Sequence, residues 1–211
     1  LIPDGCDQFN DLHDSIVKAF SLLDFDGSLH FACVGGIEDD KGTVDYLEEC
    51  AREAGLSTCF LSMQEIGIDD RGHFTDLDDQ VIQTLFKLYP WEWMFEEEFG
   101  RRVPASGTRF LEPPWKAVLS NKGLMAFLWE MFPGHPNLLP AYFDGDRRAS
   151  ELAGSYVRKP LLSRQGANVQ IIHEGKTQTR SEGPYGQGDH ILQAYHPLPE
   201  FSGNYPLVGC W

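Results

Sequence analysis

Apolar residues fall at Phe9, Leu12, Ile16, Phe20 and Leu23, one helical face, and predict a helix over 8–25. The run LHFACVGG (29–36) is apolar until two glycines stop it, as in a buried strand. TVDYLEECAREAG (43–55) sets Val44, Leu47, Cys50 and Ala51 on one helical face and ends at Gly55. STCFLSMQEI (57–66) is a second strand. Strand, helix and strand in this order form a βαβ unit, hence a parallel pair in an open α/β sheet.

Residues 69–80 are polar and turn-rich. Residues 81–100 begin as a strand and continue as an aromatic helical segment interrupted at Pro90, and 108–115 is a short strand closed by two prolines. The strongest amphipathic helix is expected over 120–132, with Ser120 as its N-cap. The Pro-, Gly- and charge-rich stretch 133–154 is a connector and the pattern's own candidate for a subdomain boundary. Strands are then expected at 155–162, 167–173, 190–196 and 205–211, with a Gly-rich loop at 182–189. The fold class is α/β: a parallel βαβ part, then an α+β part built on an antiparallel sheet. Ligands commonly sit between such halves.

The chain has 211 residues, 42% of them hydrophobic, enough to bury an ordinary core. Its formal net charge of −15 argues against a nucleic-acid partner, which needs clustered Lys and Arg. It suits a cytoplasmic protein, or one that meets a cationic ligand such as a polyamine. No apolar run is long enough to span a membrane, and no signal peptide is expected. The five cysteines are widely spaced without a CxxC pair, which fits reduced thiols. The histidines show neither HxxxH nor HExxH, so no zinc site is expected. The chain begins at Leu1 and ends in NYPLVGCW, a strand-like run, so a fragment of a longer protein is expected.

In YVRKPLLSRQGANV (156–169), Lys159 leaves one strand and Arg164 and Gly166 lie in the turn before the next. A glycine there allows close backbone approach to an anion, and the lysine reaches the same oxygens. A surface hairpin with solvated charges is the plainer reading. Lys122 stands at the first turn of the 120–132 helix, where a cation opposes the dipole unless an anion is near. HILQAYHPLPEF (190–201) offers backbone groups to a planar base, or is an edge strand stopped by proline. The aromatic box LYPWEWMFEEEF (88–99) is a core staple or a ligand platform, and Glu92 between two tryptophans needs a partner if buried. Asp39 and Asp40 follow the first clear strand, where open α/β sheets gather ligands, and where helix starts also favour acids.

Four blocks, LYPWEW, FLEPPWKAVLSNKGLMAFLWEMFPGHPNLLP, YVRKPLLSRQGANV and ILQAYHPLPEFSGNYPLVG, resemble in order and spacing the synthetase domain of glutathionylspermidine synthetase. They are closer still to its shorter acid–amine ligase relatives, which are ATP-grasp enzymes. The resemblance runs from about residue 28 to the end and is strongest over 87–211. It implies an ATP-dependent carboxylate–amine ligase working through an acyl phosphate, with ATP and Mg2+ as cofactors and a small-molecule acid and amine as partners. The division it implies is a pre-ATP-grasp-like, substrate-side part at 1–115 and a partial ATP-grasp lobe at 116–211.

By the resemblance, Lys122 and Lys159 are the ATP lysines, and Gln165 and Gly166 form the loop over the phosphates. Gln193, Ala194, Tyr195 and His196 hold the adenine, and Leu207 is a further nucleotide contact. Asp39 and Asp40 stand where the family has paired substrate-site glutamates, and Trp93 where it has a substrate-binding threonine. These departures put glutathione and spermidine themselves in doubt as substrates. The family's magnesium ligands and catalytic arginine match positions before residue 1 and after residue 211. No metal ligand or catalytic residue is therefore expected here, and the isolated chain is expected to be inactive. The alternatives are a non-catalytic relative that binds a nucleotide or cationic metabolite, and an interaction module built on the aromatic box.

Overall fold

The computed structural model describes residues 11–207, and the chain divides into two compact units, Leu1–Ala117 and Val118–Trp211. In the first, α1 (Leu12–Ser21) precedes β1 (Leu29–Cys33), α2 (Glu38–Glu53) and β2 (Thr58–Ser62). A small hairpin follows, β3 (Gly67–Ile68) and β4 (Phe74–Thr75). Then come β5 (Thr84–Leu88), α3 (Trp91–Glu96) and β6 (Arg109–Leu111). The four long strands form a parallel sheet in the order β2-β1-β5-β6. The expected βαβ unit is present and is extended by two further strands.

All five residues of β1 are buried, as befits a strand covered on both faces. Leu29, Phe31 and Cys33 pack with Phe20, Val44, Cys50 and Ala51 of α1 and α2. On the opposite face Ala32 joins Leu61, Phe74, Ile82, Leu85, Trp91, Met94 and Phe110. α2 begins five residues earlier than the apolar pattern predicts. Its first turn consists of Glu38, Asp39 and Asp40, whose charges the positive helix end favours although none is apolar.

The second unit opens within α4 (Ala117–Ser120) and continues with α5 (Gly123–Met131), β7 (Ala141–Phe143), β8 (Tyr156–Pro160), β9 (Gln170–His173), β10 (Lys176–Arg180) and β11 (His190–Ala194). Its five strands pair antiparallel in the order β10-β9-β8-β11-β7. Tyr142, Leu152 and Leu192 form its small core, with Trp129 and Tyr156 against it.

Four expectations change here. Ser120 is not an N-cap, because the helix breaks at Asn121-Lys122, and Asn121 Oδ1 accepts the Gly123 N–H at 2.8 Å. The 133–154 stretch is not a connector: it supplies β7 and a 3-10 helix at Arg147–Leu152. β11 is an inner strand, between β8 and β7, and not an edge strand. Tyr205–Leu207 are outside any strand, and the rest of the 205–211 run lies outside the described residues.

Candidate functional site

In the second unit the break before α5 faces the β8–β9 loop. The Lys122 N–H donates to the Leu161 carbonyl at 2.8 Å, and Lys122 Nζ donates to the Ser163 carbonyl, also at 2.8 Å. Lys159 points to the same region from β8. Its Nζ donates to Gln193 Oε1 on the neighbouring β11 at 2.7 Å. Burial, and then the nearby charge of Lys122, hold the Lys159 ammonium below the ordinary lysine range. Two cations thus approach each other in a half-buried setting, and the Lys159 hydrogen-bond partner is a neutral amide. Ser163 Oγ beside them is buried and has no hydrogen-bond partner. Such a place suits a polyanion, which would relieve the repulsion and supply acceptors.

The loop between β8 and β9 is shaped for close approach. Gln165 and Gly166 lie in succession at positive φ, 51° and 73°, and nothing stands within 4 Å of where a Gly166 Cβ would be. The loop is tied to the Gly-rich 181–189 segment. Ser181 Oγ donates to the Gly166 carbonyl at 2.5 Å, and Asn168 Oδ1 accepts the Tyr185 N–H at 2.8 Å. The fit is tight, since a Cβ on Gly183 would lie 2.6 Å from Ala167 Cβ. Apposed Gly-containing loops with bare backbone are an anion-binding device.

The remaining residues expected at the nucleotide differ in placement. Gln193 pairs with Val157 on one side and Ala141 on the other, so the sheet ladder engages its backbone and its side chain faces Lys159. The Ala194 N–H goes to the Pro140 carbonyl, and that of Tyr195 to Ser155. The Tyr195 ring leans on His173, centroids 5.4 Å apart. His196 is exposed just past the strand. Leu207 is 84% exposed.

In the first unit the chain runs from β1 outward to β2 and then returns to the other side of β1 as β5. The β1/β5 border is therefore a topological switch point, where open sheets form a crevice at the carboxyl ends of the strands. Asp39 and Asp40 follow β1 there, and Trp93 follows β5. Asp39 is exposed and Asp40 half-buried, and the charge of Asp40 adds to burial in pushing the Cys33 thiol up. The aromatic box splits: Trp91 and Met94 are core, while Trp93 and Phe95 are exposed, with Trp93 edge-on to Tyr89 at 5.8 Å.

Residue spacing singles out neither Ser163, Asn168 and Ser181, which fasten the loop, nor Lys87. Lys87 is buried on β5, donates to the Tyr89 carbonyl at 2.7 Å and lies 3.6 Å above the Trp91 ring. Burial lowers it to about 8 against the opposing pull of Glu112 and Glu92. The signal available was one lysine inside the apolar strand TLFKL. Cys33, Cys50 and Cys59 are free thiols, and no helix among the described residues is long and apolar enough to cross a membrane.

A family model described as glutathionylspermidine synthase preATP-grasp matches residues 1–211. Among curated proteins, a Haemophilus influenzae protein named as an acid–amine ligase is 39% identical over 216 residues, covering 97% of this chain and 55% of its own length. Trypanothione synthetase of Crithidia fasciculata is 27% identical, covering 88% of this chain and 32% of that protein. The bifunctional glutathionylspermidine synthetase/amidase of Escherichia coli is 24% identical, covering 77% and 30%. The chain thus spans about half of the first relative and about a third of the others.

Proposed function

This chain belongs to the glutathionylspermidine synthase preATP-grasp family, and from that membership we propose that it is part of an ATP-dependent carboxylate–amine ligase. The observation that carries the reading is the approach of Lys122 and Lys159 beside the paired Gly-containing loops. In this proposal ATP supplies the phosphoryl group that turns a substrate carboxylate into an acyl phosphate, and an amine then captures it as an amide.

The residues of this chain bind and orient. Lys122 and Lys159 hold phosphate oxygens, which charge-assisted hydrogen bonds favour. Ser163 Oγ gains an acceptor. Gln165 and Gly166 bring backbone N–H groups over the phosphates and exclude water from them. Gln193 sets the position of the Lys159 ammonium. The adenine lies against the segment after β11, at Ala194, Tyr195 and His196, with Leu207 closing over it. Magnesium belongs to the proposed reaction, and no residue of this chain is assigned to it.

The substrate side is the switch-point crevice of the first unit. Asp39 and Asp40 favour an amine there, and Trp93 gives a flat apolar wall. Asp in place of the family's glutamates shortens the reach, and Trp in place of threonine changes the shape of the pocket, so the assay sets glutathione and spermidine beside other acids and amines.

The test uses the full-length protein, assayed by calorimetry with Mg·ATP and then by ADP release with glutathione, γ-glutamyl peptides and a panel of amines. Expected is ATP binding that weakens by about tenfold to a hundredfold in Lys159→Ala, the loss of one charge-assisted bond, and ADP release that needs both an acid and an amine. Absence of ATP binding would sink the reading. Binding without amine-dependent ADP release would favour a non-catalytic nucleotide-binding relative.

A further inference from the structure

We propose that His30, Cys59 and Asp76 form a three-ligand site for zinc or a similar borderline-soft divalent cation. The proposal does not depend on the ligase reading. His30 of β1 and Cys59 of β2 are register partners on adjacent parallel strands, so their side chains stand side by side on one face of the sheet. Asp76 reaches them from the residue after β4. One ligand atom from each lies within 4.8 Å of the others.

The carboxylate is already aimed. Asp76 Oδ1 accepts the N–H groups of Asp78 at 3.0 Å and Gln80 at 2.9 Å, which leaves Oδ2 facing His30 Nε2 at 3.2 Å. Bond lengths of about 2.0–2.3 Å give tetrahedral edges of about 3.3–3.8 Å. The His–Asp separation is therefore close to that of two ligands on one zinc, and a shift of about 1 Å brings the set together.

His30 is 4% exposed and presents Nε2 to the site, while Nδ1, its other ring nitrogen, is buried without a hydrogen bond. The Cys59 thiol makes a weak 3.9 Å contact with the Phe60 carbonyl. Cys59 and Asp76 are each partly accessible, which gives an ion a way in. A nitrogen, a sulfur and an oxygen suit zinc and leave a fourth position for water.

The site's place in the fold indicates its use. His30 is the second residue of β1, about 10 Å from the carboxyl end of the strand, where ligands of open sheets gather. A metal here pins the residue after the β3–β4 hairpin to the sheet and acts as a staple, apart from the switch-point crevice.

The test is cobalt titration of the metal-stripped 211-residue chain. Expected is a thiolate-to-cobalt charge-transfer absorbance that saturates at one ion per chain and is displaced by zinc. Bound metal should protect Cys59 from alkylation, read peptide by peptide, and leave Cys33 and Cys50 unchanged. Cys59→Ser should abolish the absorbance and Cys33→Ser should keep it. If Cys59→Ser does not fold by circular dichroism, the wild-type alkylation pattern decides. No stoichiometric absorbance, or protection that spares Cys59, would overturn the proposal.

Discussion

Replacing Lys87 with methionine should stabilise the protein near neutral pH and flatten its response to alkali. The side chain is 6% exposed, and burial lowers its pKa from 10.5 to about 8. Holding the charge inside the fold therefore costs about 3 kcal/mol relative to the unfolded chain. The Trp91 ring beneath Nζ is part of the surroundings that hold the charged form. Methionine keeps the length of the stem and removes the charge, but it leaves the Tyr89 carbonyl without its donor, at a cost of about 1 kcal/mol. The net gain for Lys87→Met at pH 7 is then about 2 kcal/mol.

The sign with pH follows from proton counting. Between about 8 and 10.5 the unfolded lysine is protonated and the folded one is not, so this group's contribution to stability rises with pH across that window. The penalty is fully present below the folded pKa and gone above the unfolded one. Guanidinium unfolding followed by tryptophan fluorescence, near pH 7 and near pH 10.5, checks this. The difference between variant and wild type should fall by about 3 kcal/mol over the range, the whole of the pKa difference. A difference independent of pH, or a variant less stable at pH 7 by more than the lost carbonyl bond, would refute the reasoning.

Gly100→Ala should destabilise the first unit by about 3 kcal/mol or more, since the new Cβ would lie 1.6 Å from the Met94 carbonyl oxygen; denaturant melts test it. Gly183→Ala should force the 181–189 segment off Ala167, which the new Cβ would meet at 2.6 Å. ATP affinity by calorimetry should then fall about tenfold, ~1.4 kcal/mol, with little change in melting temperature. Replacing both Asp39 and Asp40 with asparagine should raise the KM for the amine and leave ATP affinity unchanged, which steady-state kinetics and calorimetry on the full-length protein separate.

Much of the first unit was legible because a βαβ unit writes its period locally: LHFAC, the α2 stripe and TCFLS each carry their own signal. The second unit was less so. Every residue of β10, KTQTR, is exposed and leaves no apolar alternation to read. β7 is three residues long between Pro140 and Asp144-Gly145, and only its pairing with β11 makes it a strand. Pro197 suggested an edge, yet β11 is internal, because the proline comes after the ladder ends.

The candidate site was visible through the order of four blocks and through no single turn. What fastens it is non-local: Lys122 on the Ser163 carbonyl, Lys159 on Gln193, Asn168 on Tyr185. His30, Cys59 and Asp76 are likewise distant in sequence, so a search for ligand spacing misses them, whereas parallel register puts two of them side by side.

The central claim is that the lysine pair and the two apposed loops take the phosphates of ATP. Hydrogen–deuterium exchange with and without Mg·ATP tests it most directly. Protection should appear at 161–169, 181–189 and 193–196 in the wild type, follow the order ATP over ADP over AMP, and vanish in the Lys122→Ala/Lys159→Ala double variant. Unchanged exchange in these segments, or ATP-dependent protection that survives in the double variant, would contradict it.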